Sequence, residues 1–71
     1  MELWELVECW EQGKPVLYTY RDPIILYIQE IYVRYDYNNN PEWKVVCETE
    51  KGYMYIVSPK YLQRIGGEKT A

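Results

Sequence analysis

Residues 43–65 read WKVVCETEKGYMYIVSPKYLQRI, and this stretch carries the clearest fold signal in the chain. In Trp43–Glu50 the residues Trp, Val, Cys and Thr alternate with Lys, Val and Glu, which is typical of a strand with one buried face. The dipeptide Lys51-Gly52 predicts a tight turn in which Gly52 takes a positive φ. The run Tyr53–Val57 then predicts the returning strand of an antiparallel hairpin.

A single turn and a last short strand are predicted after the hairpin. Ser58 suits a cap and Pro59 a first helical position, and the piece is long enough for one 3₁₀ turn. The residues QRI predict a final strand, and we expect Leu62 and Ile65 to be buried where that strand closes the fold. Residues 66–71, GGEKTA, are expected to form a disordered tail.

Two further strands are predicted upstream of the hairpin. Val16–Tyr20 has strand composition, and Ile24–Tyr35 is built almost throughout from Ile, Val and Tyr, which favour a half-buried pleated surface. Between this strand and the hairpin, DYNNNPE (Asp36–Glu42) predicts a loop, because Asn tolerates left-handed backbone angles and Pro cannot continue a ladder.

The first segment, Leu3–Trp10, fits two structures. Leu3, Leu6, Val7 and Trp10 share a helical face, whereas Trp4, Leu6 and Trp10 share one face of a strand. Periodicity alone does not decide between them. Glutamates at positions 2, 5, 8 and 11 would form one acidic face on a helix and no single stripe on a strand.

The composition predicts one small domain with exposed aromatic side chains. The 71 residues include nine Tyr and three Trp but no Phe. A chain this short buries only about 60% of its unfolded surface, so it cannot enclose all of these rings. Exposed Tyr and Trp that cluster together usually mark an interface.

Charge and cysteine content argue against several functions. The net charge is −3 and the isoelectric point about 4.8, whereas nucleic-acid binders usually have a basic face. With no His and two Cys, a zinc site is not expected, and the usual general base near neutral pH is missing. We therefore expect no enzyme activity and no cofactor. Cys47 alternates with Val45 and Trp43 and is expected in the core. No signal peptide or membrane span is apparent, and we expect a cytoplasmic protein.

The order of these elements resembles the SH3-like small β-barrel. The residues that carry the resemblance are Trp43, Gly52-Tyr53, Ser58-Pro59, Tyr61-Leu62 and Ile65. It implies an all-β fold, a five-stranded barrel over residues 1–65 with one 3₁₀ turn before the last strand. The sequence departs from peptide-binding SH3 domains in two ways. Its turn reads Pro, one residue, Tyr, and its YDY motif (Tyr35–Tyr37) precedes the Asn loop, while YTY (Tyr18–Tyr20) lies nearer the corresponding place.

We therefore expect a non-catalytic binding module, an accessory or regulatory protein that docks on a larger protein. Its small size also fits a phage or viral origin. The candidate partner-binding residues are Tyr35, Tyr37, Trp43, Pro59 and Tyr61. The alternatives are nucleic-acid binding, in which bases stack on exposed rings near scattered Lys and Arg, and an acidic inhibitor that imitates DNA.

Overall fold

The computed structural model describes residues 1–65. Its elements are helix α1 (Leu3–Gln12), strands β1 (Pro15–Tyr18), β2 (Ile24–Tyr35), β3 (Pro41–Glu48) and β4 (Met54–Val57), a 3₁₀ helix (Pro59–Tyr61) and strand β5 (Leu62–Arg64). The strands form one antiparallel sheet in the order β4-β3-β2-β1-β5. The predicted five antiparallel strands are confirmed, although this sheet is open: within residues 1–65, β4 and β5 are its edges. The predicted tail, residues 66–71, lies outside the described residues.

The first segment folds as a helix, so the all-β prediction holds for the sheet and not for this part of the chain. Leu6 and Cys9, one turn apart, are buried against the sheet. At the start of α1 the Glu2 backbone N–H donates to the Glu5 carboxylate over 2.9 Å. Gly13 ends the helix with φ +67°, a left-handed conformation that suits glycine. No helix in residues 1–65 is long and apolar enough to cross a bilayer.

Strand β2 is the central strand, and it pairs with both β1 and β3. Its pairing with β3 slips by one residue between Ile28 and Glu30, so Gln29 is the extra residue of a β-bulge. Bulges bend a strand and increase its twist. The residues that face the core are therefore even-numbered before the bulge, as at Leu26 and Ile28, and odd-numbered after it, as at Ile31.

The core lies between α1 and one face of the sheet. It contains, as its buried side chains, Leu6, Cys9, Val16, Leu26, Ile28, Val45, Cys47, Val57 and Leu62. All five strands and the helix contribute to it. Cys47 is a core residue as predicted, and both cysteines are free thiols.

The loop between β2 and β3 is shorter than predicted, because β3 begins at Pro41, opposite Tyr35. A proline is tolerated at the first residue of a strand. The Asp36 carboxylate accepts hydrogen bonds from the backbone N–H groups of Asn38 (2.8 Å) and Asn40 (2.9 Å). These bonds close the turn by Asn40, so Pro41 and Glu42, which were predicted to lie in the loop, belong to β3.

The predicted hairpin is confirmed in β3 and β4, with Gly52 at φ +91°. Its strands end sooner than predicted, since the ladder stops at the pair Glu48 and Met54. The Thr49 hydroxyl accepts hydrogen bonds from the backbone N–H groups of Lys51 (3.2 Å) and Tyr53 (3.1 Å). The Thr49 hydroxyl thus accepts hydrogen bonds from backbone N–H groups that would otherwise lack a partner where the ladder ends.

Leu62 and Ile65, both expected to be buried where the last strand closes the fold, differ in their exposure. Leu62 is buried, with 3% of its surface exposed, as predicted, but Ile65 is 41% exposed, and that part of the prediction is wrong. Successive side chains of a strand point to opposite faces, so residues three apart cannot both face the core. β5 also ends at Arg64, one residue before Ile65.

We expect Leu62→Ala to lower the free energy of unfolding by about 2–5 kcal/mol, because it removes a buried leucine and leaves a cavity. Ile65→Ala is the matched control and should lower stability much less, since Ile65 is 41% exposed and lies outside the buried core. Urea or thermal denaturation followed by circular dichroism measures both. Equal losses for the two variants would contradict the assignment of Leu62 alone to the core.

Candidate functional site

An open groove lies where the start of α1, the start of β3 and the 3₁₀ helix meet. Its lining residues are Met1, Glu2, Glu5, Glu42, Trp43, Lys44, Ser58, Pro59, Lys60 and Tyr61. Three elements that are distant in sequence therefore form one concave surface. Aromatic rings and a proline supply its apolar part, and charges of both signs surround them.

Trp43 lies in the outer half of the β2–β3 hairpin, opposite Val33. By the alternation of β3 it is on the same face as Val45 and Cys47, which are fully buried. However, Trp43 is 44% exposed, because the hairpin extends beyond the core at this point. The side chain is thus at the rim of the core, where a second surface can contact it.

The 3₁₀ helix is fixed to the rest of the domain through its backbone. The Met1 amino group donates to the carbonyl oxygens of Pro59 (3.0 Å) and Leu62 (3.2 Å). On the other side, the Thr19 backbone N–H and hydroxyl both donate to the Tyr61 carbonyl, over 2.8 and 3.0 Å. These contacts place Tyr61 between the groove and the end of β1.

Four tyrosines cluster at this end of the molecule. The Tyr20 and Tyr61 rings meet edge to face, with centroids 4.8 Å apart. The ring of Tyr18 lies 6.3–6.4 Å from those of Tyr20, Tyr55 and Tyr61. Because Tyr61 also lines the groove, the rings form one surface with it. We call Trp43, Pro59, Tyr61, Tyr18 and Tyr20 the aromatic surface.

Two cations lie over rings of the aromatic surface. The Lys60 ammonium is 5.2 Å from the Tyr61 ring centroid, and the Arg21 guanidinium carbon is 6.0 Å from that of Tyr20. Cations within about 6 Å of a ring are attracted to its face. Glu2, Glu5 and Glu42 line the same groove as Lys44 and Lys60, so its charges are of both signs.

Next to the groove, Arg64 connects β5 to α1. Its guanidinium pairs with the Glu5 carboxylate at 3.1 Å and also with Glu8. The hydrogen bond from the Glu2 backbone N–H lowers the pKa of Glu5 most, and the hydrogen bond from Arg64 lowers it further. This carboxylate therefore stays ionised near neutral pH. Two of the acidic residues predicted to share a helix face thus have a basic partner.

The structure brings together three of the five predicted site residues: Trp43, Pro59 and Tyr61 line one groove. Tyr35 pairs with Pro41 at the tip of the hairpin, and Tyr37 is fully exposed in the turn; neither lines the groove. Tyr18 and Tyr20 were not among the five candidates. The signal for them was the YTY motif, which lies near the place of the tyrosine motif in SH3 domains.

Within residues 1–65 both thiols are buried beneath the sheet and helix. Burial raises the pKa of the Cys47 thiol from the usual 9.0 to about 12. Because the thiolate is the nucleophilic form, Cys47 is inert near neutral pH. It acts as a small apolar side chain of the core.

Comparison with known proteins identifies no relative, since no family model, curated protein or solved structure matches the chain. The SH3-like resemblance of residues 43–65 therefore stays a prediction from the order of the elements. The candidate site is likewise defined by the contacts between the residues of this chain.

We expect Cys47 to resist iodoacetamide in the folded protein and to react once urea unfolds the chain, as measured by mass spectrometry.

Folding favours the protonated thiol of Cys47, because its pKa is raised in the folded state. This contribution to stability is complete below pH 9.0 and is lost as the pH rises toward 12. Cys47→Ala should therefore lose less stability than the wild type across this range. Rapid labelling of native Cys47 would contradict its placement.

Proposed function

We propose that this protein is a non-catalytic binding module with an SH3-like barrel, which docks on another protein through its aromatic surface. Three features support the barrel: the strand order, the 3₁₀ helix between β4 and β5, and the bulge that bends β2. A contact across the sheet supports it as well, since Tyr18 of β1 lies against Tyr55 of β4, although two strands separate β1 from β4 in the sheet order.

The proposal rests on one observation: Trp43 lines the same groove as Pro59 and Tyr61, from which it is distant in sequence. Tyr and Trp bury large apolar areas at a low cost in conformational entropy, and they dominate the binding energy of protein interfaces. Tyr20 extends this surface through its edge-to-face contact with Tyr61. Hydrogen bonds from Met1 and Thr19 hold the 3₁₀ helix, so the rings are positioned before a partner arrives.

The charges of the site favour a protein partner over nucleic acid. Lys60 and Arg21 lie over tyrosine rings, an arrangement that would also suit base stacking. However, the three glutamates that line the groove, Glu2, Glu5 and Glu42, offset its two lysines and the Met1 amino group, so the groove lacks the excess of positive charge that attracts a phosphate backbone.

The acidic-inhibitor alternative has less support. An inhibitor that imitates DNA needs a row of free carboxylates at the surface. On α1, the carboxylates of Glu5 and Glu8 instead share the guanidinium of Arg64. Arg64 thus joins two of the four glutamates at positions 2, 5, 8 and 11 and interrupts the row of free carboxylates that such an inhibitor would need.

We expect Trp43→Ala to weaken partner binding by about 2 kcal/mol or more, because it truncates a partly exposed aromatic anchor, while the melting temperature falls no further than in the control variant. Trp10→Ala is the matched control, since Trp10 is 41% exposed and lies on α1 outside the groove. Affinity capture with the two variants and the wild type, followed by calorimetry with the captured protein, measures the effect. A partner that binds both variants equally well would place the site elsewhere.

Salt dependence separates the two classes of partner. Docking through aromatic rings should weaken little between low and physiological salt, whereas nucleic-acid binding falls steeply because counterions are released. We expect a single-stranded oligonucleotide to show no binding at physiological salt in fluorescence anisotropy. Tight, salt-sensitive binding that Tyr20→Ala abolishes would instead favour the nucleic-acid alternative.

A further inference from the structure

Strand β4 is an unprotected edge of the sheet. In the order β4-β3-β2-β1-β5 it has a strand neighbour on one side only among residues 1–65. Edge strands expose a row of backbone donors and acceptors, and proteins usually protect them with charges, prolines or bulges. The segment YMYIVS, residues 53–58, contains no charge and no proline, and β4 pairs with β3 without a register shift.

The hydrogen bonds of the hairpin fix which backbone groups of β4 are free. The Thr49 backbone N–H donates to the Tyr53 carbonyl over 2.9 Å, so these two residues form a hydrogen-bonded pair. In antiparallel ladders such pairs alternate along the strand. Tyr55 therefore points its backbone groups at β3, while Met54 and Ile56 point theirs at the free edge.

The side chains of Met54 and Ile56 share the outer face of the sheet and are 57% and 63% exposed. An occupant of this edge must be a β-strand, because only a strand matches the spacing of the free backbone groups. It must also cover two apolar side chains. The other edge, β5, is shorter, and its exposed residues Gln63 and Arg64 are polar.

We propose that β4 is a homodimerisation edge, at which two copies of this chain pair their β4 strands antiparallel about a two-fold axis at Tyr55. A two-fold axis perpendicular to the sheet keeps the outer faces of both copies on the same side. Met54 of each copy then lies opposite Ile56 of the other, and these residues form the hydrogen-bonded pairs. The four apolar side chains cover one another.

The second copy is the favoured occupant because this edge is complementary to itself. Met54 and Ile56 lie one residue on either side of Tyr55, and each has an exposed apolar side chain and backbone groups that point at the free edge. An antiparallel copy of the same strand therefore supplies a backbone partner and an apolar partner for both residues in a single register. The dimer does not depend on the proposed function.

Sedimentation equilibrium of the wild-type protein tests the dimer directly. We expect a monomer–dimer equilibrium that Ile56→Lys shifts at least tenfold toward monomer, because the variant places two charges at the centre of the apolar cluster. Ile25→Lys is the matched control: Ile25 is also exposed on the outer face, but it lies on the central strand β2. Circular dichroism checks that each variant is folded. A wild-type protein that is monomeric up to about 1 mM would overturn the proposal, since the pairing would be weaker than millimolar.

Disulfide cross-linking tests the register. Tyr55 would face its own symmetry copy in a non-hydrogen-bonded pair, where Cα atoms are about 4.5 Å apart, a distance that a disulfide spans. We expect Tyr55→Cys to give a covalent dimer under mild oxidation, while Met54→Cys, which faces Ile56, gives little. The native cysteines are buried and do not compete. Equal cross-linking of both variants, or of Met54→Cys alone, would overturn the proposed pairing.

Discussion

The single extra residue in β2, Gln29, is the constraint on which the rest of the structure depends. Without it, the residues that face the core after Ile28 would be Glu30, Tyr32 and Arg34, and two charges would lie on the face that packs against the core. With it, Ile31 and Val33 continue that face. The bulge also bends β2, so its first half pairs with β1 under α1 and its second half carries the β2–β3 hairpin away from the core.

The candidate site follows from this bend. Because the hairpin leaves the core, Trp43 is at its rim instead of inside it. The chain then returns through the 3₁₀ helix, where Thr19 binds the Tyr61 carbonyl. Tyr61 thereby connects the tryptophan groove to the tyrosines at the end of β1. The site is thus assembled by backbone hydrogen bonds between segments that are distant in sequence, and these bonds limit how far the rings can move.

Local sequence patterns predicted the elements better than their ends. The bounds of β2 and the positive φ of Gly52 were predicted, because β-branched runs and a tight turn have local causes. The helix in the first segment was undecided, since its apolar spacing suits both structures. The hydrogen bond from the Glu2 backbone N–H to the Glu5 carboxylate and the burial of Leu6 favour the helix. The error at Ile65 came from the bounds of the last strand: it was predicted over residues 63–65, whereas β5 begins at Leu62 and ends at Arg64, before Ile65.

The site was predictable where it rests on the resemblance, at Trp43, Pro59 and Tyr61, and not where it depends on the curvature of the sheet. Nothing local in the sequence indicates that the end of β1 meets the 3₁₀ helix, so Tyr35 and Tyr37 were chosen over Tyr18 and Tyr20. The chain has nine Tyr and no Phe, and a cluster of Tyr rings suits the partly exposed end of β1. Each ring adds apolar packing while its hydroxyl can bind water. The tyrosines can therefore support the edge of a thin core and still form a binding surface.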